Sequence, residues 1–284
     1  MGLRGAVGAV RGRVEEGRAR VAESRSRVPA LDVSLSTVER GQARGGGLIA
    51  GALAYRLFFW LLPVALLVVA GLGFLSAADK SAPRDLAEEV GSFGFAAREV
   101  ADASAHAEKG RFWALAVGLP ALYVTSVSFV KALFVGSSLL WDIPLQRPRR
   151  KAVAALVMIG LLLALIAVLV LEGWVRRRAP GRGLVAALAY MVAIGAAWLL
   201  VTWLLPRPPG TGWRTLLPGA ILLGIGIEGV HLVTVYYVAR RLDEASELYG
   251  GLGTATALLL SLFLVARVAV LSLSLDAELW DRHR

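Results

Sequence analysis

Five ionisable side chains stand inside long apolar runs of this sequence: Arg56, Lys131, Glu228, His231 and Arg267. A charge in a hydrocarbon layer costs several kcal/mol, so intramembrane ionisable groups are retained where they pair, or where they line a path for a polar solute. Glu228 and His231 are three residues apart and share one helix face, with Gly224 one turn earlier on the same stripe. A glycine there lets a neighbouring backbone or a ligand come close. Residue counting puts Arg267 several ångströms from the depth of Glu228. Two arrangements follow: a buried Glu228–Arg267 bridge between two helices, or a polar lining. Arg56 and Lys131 both fall near mid-depth with no acid opposite. Three internal cations against one clearly internal acid suit an anionic solute or headgroup, because Arg and Lys are natural phosphate binders.

Other chemistries find less support in the residue types. The chain has no cysteine, which removes disulfides, thiolate nucleophiles and thiolate metal ligands. Its three histidines, at 106, 231 and 283, are far apart, and none sits in an H-E-x-x-H zinc pattern. No P-loop and no G-x-S-x-G elbow occurs. Neither a metal nor a cofactor is expected, nor an enzyme.

The elements that must position these residues are apolar helices. Of 284 residues, 57% are hydrophobic and 18% charged, with a mean hydropathy of +0.64; a soluble domain is nearer one-quarter charged. Runs of about 20 apolar residues suffice to cross a hydrocarbon core roughly 30 Å thick. Six such runs predict an all-α, polytopic membrane protein, with spans at about 46–76, 112–141, 152–175, 183–205, 214–239 and 252–275. Pro63 is expected to kink the first span. The polar stretch 77–110 reads as one or two amphipathic helices on the membrane surface. Residues 1–44, with nine Arg and five acids, read as a basic cytoplasmic tail ending in an interfacial segment. The membrane domain then occupies 45–280, and 281–284 form a short C-terminal tail.

The net charge of +10 would suggest nucleic acid in a soluble protein. In a membrane protein, cationic loops set topology instead, so the bilayer is the expected partner. Six spans put both termini on one side. That side carries 17 Lys and Arg against 11 on the other, which predicts cytoplasmic termini, although Arg176–Arg177–Arg178 oppose this locally.

The last two spans, with Leu217–Pro218–Gly219–Ala220, then Tyr249, Gly250, Leu252 and Gly253, and the acidic end Asp276–Ala277–Glu278, resemble the C-terminal half of the YihY/BrkB family. Ala52, Tyr55 and Pro63 match its first-span pattern, and Trp141 followed by Arg147 to Lys151 resembles its helix-end Trp and basic loop. The resemblance covers most of residues 40–280. It implies a multi-pass protein of the bacterial inner membrane, with roles proposed in export of lipid-linked or envelope material. Some relatives carry a ribonuclease label, which these residues do not support. Taken with the cationic interior, the expectation is a transporter or flippase-like exporter of an anionic amphiphile. A non-transporting scaffold or envelope-assembly partner is the alternative.

Overall fold

A computed structural model describes residues 29–78, 94–146, 160, 183–233 and 251–284. Among these residues every regular element is a helix: α1 (Pro29–Ala43), α2 (Gly46–Ala78), α3 (Gly94–Leu140), α4 (Gly183–Leu204), α5 (Trp213–Val233) and α6 (Gly251–Arg282). Four of them contain stretches long and apolar enough to cross a membrane: Gly46–Gly71, Phe112–Leu140, Trp213–Val230 and Leu258–Arg282. A shorter apolar stretch, Leu188–Leu204, lies in α4. The third expected span, 152–175, lies outside the described residues except at 160, as do Tyr249, Gly250 and the end of the fifth span.

The 47-residue α3 differs from expectation. The polar part from Gly94 onward is no separate surface helix; it runs into the apolar part without a break. The sequence explains this, because Phe95–Lys109 is rich in strong helix formers and contains neither Pro nor Gly. α1 differs too. The last third of the expected tail 1–44 has a helical spacing that the Arg count hides, and as α1 it packs on α6. Nor is 281–284 wholly a tail, since α6 continues to Arg282. Helix α2 is continuous through Pro63, which is buried.

α2 lies against α3 over the most extensive helix–helix contact, α6 packs on α5, α2 and α1, and α4 packs on α5. Small residues set these distances. A Cβ at Gly136 would lie 2.9 Å from Ile49, and one at Gly224 would lie 2.7 Å from the Met191 carbonyl oxygen. Small residues at helix contacts let backbones approach where no hydrophobic force drives association. Leu53, Leu140, Val270 and Leu273 fill the centre, while Tyr55, Leu62, Val124, Val192 and Ile221 face outward, as lipid-facing positions must. Indole donors in the interior find hydroxyl acceptors: Trp60 Nε1 donates to Ser126 Oγ at 2.8 Å, and Trp198 Nε1 to Ser272 Oγ at 2.7 Å.

One end of the bundle gathers the start of α2, the ends of α3, α4 and α6, and the start of α5. Ile49 meets Gly136, Ser137 Oγ donates to the Pro206 carbonyl at 2.8 Å, and the Gly219 amide donates to Asp276 Oδ1 at 2.7 Å. α1 covers this end, called the near end below. Arg40 reaches Asp281 at 2.6 Å and Glu278 at 3.4 Å, and its Nε donates to the last carbonyl of α3, Leu140, at 3.3 Å. Arg282 in turn pairs with Asp32 at 2.8 Å and donates to Ser36 Oγ at 2.6 Å. Helix α3 stops in a Schellman arrangement: the Ile143 amide bonds the Ser138 carbonyl, the Asp142 amide bonds that of Leu139, and Asp142 adopts φ 55°. Pro144 then prevents any continuation.

Candidate functional site

The α2–α3 contact leaves a groove of about 420 Å³ lined by Ile49, Ala52, Arg56, Lys131, Val135 and Gly136, among others. Two of the five expected site residues therefore meet in one place. Helical spacing produces the lining: Ile49, Ala52 and Arg56 lie three and four apart on α2, and Lys131 and Val135 four apart on α3. Arg56 Nη1 donates to the Ser128 backbone carbonyl and, at 2.8 Å, to Ser128 Oγ. Those bonds fix the guanidinium and occupy a fraction of its five donors. Both cations are half-buried. Among the described residues no carboxylate pairs with either. The rest of the lining is apolar, so the groove offers positive charge beside hydrocarbon-like walls.

The other three expected residues lie elsewhere. Arg267 lies on the α6 face toward α2, where a Cβ on Gly47 would be 3.6 Å from its Nη1. Its neighbour Val268 faces Gly226 of α5. Successive helical residues are about 100° apart, so the side of α6 that meets α5 is not the side that carries Arg267. The Glu228–Arg267 bridge is accordingly absent among the described residues: depth matches and azimuth does not. Glu228 is half-buried on α5. Gly224, one turn before it, is occupied by the approach of the α4 backbone at Met191 and not by a ligand. The side chain of His231 lies outside the described residues.

A further acid, Asp276 near the end of α6, has no exposed surface. Its Oδ1 accepts from the Gly219 amide; among the described residues its Oδ2 has no partner, nor has the buried Nε1 of Trp280 one turn later. Gly219 makes this contact possible, because a Cβ there would come within 2.6 Å of the Asp276 Cγ. The Leu-Pro-Gly-Ala segment at the start of α5 thus has a partner in the acidic end of α6. In the sequence these are two separate motifs, and nothing there signals that they touch. Pro218 is half-buried beside it, and Gly253 lies in the first turn of α6.

No curated protein and no solved structure matches the chain. The family model described as virulence factor BrkB matches residues 37–284, which takes in the C-terminal part of α1, the Arg56–Lys131 groove and the Gly219–Asp276 contact. With its long apolar helices, the chain is a membrane protein and belongs to the BrkB virulence factor family.

Proposed function

We propose that this protein moves an anionic amphiphile, an envelope lipid or lipid-linked compound, across a bacterial inner membrane, with the Arg56–Lys131 groove as its headgroup site. The observation that carries the reading is the meeting of two cations without an acid on one apolar-walled groove between α2 and α3. A phosphate-type group would satisfy the free donors of Arg56 and the ammonium of Lys131, and its hydrocarbon part would lie along Ile49, Ala52 and Val135. No catalytic step, metal or cofactor belongs to this reading.

Six crossings with both termini cytoplasmic fit the same account. Helices α3 and α4 both end at the near end, where α2 and α5 begin. The excess of Lys and Arg in the segments assigned to the near side supports a cytoplasmic near end.

The test is lipid transfer in reconstituted vesicles, followed by quenching of labelled phosphatidylglycerol or phosphatidylcholine in the outer leaflet. The anionic lipid is expected to exchange faster with protein present, and Arg56→Gln with Lys131→Gln to slow it about tenfold, the loss of roughly one charged hydrogen-bonding partner. Exchange no faster than in empty vesicles would remove the transport reading and leave the scaffold. Metal-dependent RNA cleavage by the pure protein would instead restore an enzyme.

A further inference from the structure

The turn joining α4 to α5 holds a further cation, Arg207, outside the groove just described. Its geometry follows from Pro208–Pro209–Gly210–Thr211: proline fixes the second position, Gly210 takes φ 90° at the third, and the Thr211 amide closes on the Pro208 carbonyl at 3.4 Å. This is the type II pattern. Thr211 Oγ1 adds a 2.8 Å bond to the same carbonyl, and Ser137 holds the Pro206 carbonyl from α3. A pocket of about 360 Å³ remains between this loop and α3, lined by Phe134, Gln146, Arg207, Gly210 and Thr211, among others.

Arg207 is fixed in that pocket by its own helix end. Its Nη1 donates to the Trp203 carbonyl, and its Cζ stands 4.1 Å from the centroid of the Trp203 ring. Partial burial lowers its proton affinity from the ordinary arginine value, with no opposing acid, and among the described residues none pairs with it. Trp203 and Trp213, both exposed, bracket the loop where the apolar stretches of α4 and α5 end, and Arg214 lies 5.5 Å from the Trp213 ring. Tryptophans at such boundaries sit at headgroup level.

We infer that the Arg207 pocket binds a phosphate-type anion, presented at this depth by the headgroup of an anionic lipid in the near-end leaflet. The guanidinium is fixed, partly stripped of water and lacking a counter-charge, and its remaining N–H fork matches two phosphate oxygens. The site stands whether or not the α2–α3 groove transports anything, and its test reads binding alone.

The full chain is placed in nanodiscs of phosphatidylcholine, alone, doped with phosphatidylglycerol, or with inorganic phosphate added. Phenylglyoxal modification of Arg207 and Arg214 is followed by peptide mass spectrometry. Phosphatidylglycerol is expected to slow modification of Arg207 about fivefold or more, as a charged bidentate contact should, and that of the exposed Arg214 much less. Protection by inorganic phosphate as well would make the free anion a second ligand of the same site. No protection by either, or equal protection of both arginines, overturns the proposal. Arg207→Gln is expected to retain about tenfold less phosphatidylglycerol through detergent washing, with Arg207→Lys between it and the parent chain. Undiminished retention in folded Arg207→Gln overturns it, and if that variant does not fold, the protection measured on the parent chain decides.

Discussion

At the near end, Arg40, Arg44 and Arg282 each meet a carboxylate, while Arg56 and Lys131, deeper between α2 and α3, meet none. Both regions place cations at partly buried positions in one small bundle. In the first, the charges hold α1 onto α6 and close the end of α3. In the second, among the described residues, Lys131 has no polar partner and Arg56 bonds Ser128 alone. A paired charge is explained by the fold it stabilises; an unpaired one deeper in the bundle adds cost to folding and calls for another reason to be there.

The sharpest way to break the near end is at its closest contact. Gly219→Ala puts a methyl group against the Asp276 carboxylate from a backbone that helix α5 keeps in place. A loss of about 2–3 kcal/mol is expected, read as a lowered melting midpoint in detergent. Arg40→Ala removes bonds to Glu278, Asp281 and the Leu140 carbonyl together and leaves the mostly buried Glu278 short of a partner. About 2 kcal/mol should be lost, with faster proteolysis at α1. Lys131→Gln tests the contrast from the other side: stability should change by less than about 0.5 kcal/mol, while transfer of anionic lipid falls. A large destabilisation would make Lys131 a structural residue after all.

The smallest effect belongs to Arg44 and Asp142. Hydrogen bonding from the Arg44 guanidinium holds the Asp142 carboxyl below the usual carboxylate range. A carboxyl lowered in the folded state stabilises above its unfolded pKa, about 3.9, and that stabilisation is lost as pH falls through the folded value. The melting difference between the parent chain and Asp142→Asn should therefore be present at neutral pH and vanish in acid. Added salt should shrink it, because the pair is exposed.

The helical fold was legible because apolar length is a local property, and α2, α5 and α6 stand where the runs of residues predict them. Juxtaposition was legible in part. Arg56 and Lys131 could be placed at similar depth by counting along antiparallel neighbours. Counting gives height and not rotation, which is why Arg267 falls near the depth of Glu228 by residue number and yet turns toward α2. Asp276 escaped notice for a related reason. An acid just past the expected end of the sixth span at 275 reads as an interfacial group, and only the close approach of Gly219 buries it. α1 was obscured by composition: nine arginines in 44 residues read as a solvated tail, although Asp32, Ser36 and Arg40 recur at helical spacing and find their partners on α6.

The clasp between α1 and α6 also orders events during synthesis. Arg40 and its partner Glu278 are 238 residues apart, so the first described helix to leave the ribosome has no docking surface until α6 is made. At ordinary elongation rates of about 5–20 residues per second, that delay is on the order of tens of seconds. Throughout it, Asp32, Ser36 and Arg40 of α1 lack their partners on α6, and every later helix inserts before the clasp can shut. Closure of the near end is thus a record that the whole bundle has been threaded, and a break anywhere between the two helices would leave α1 undocked.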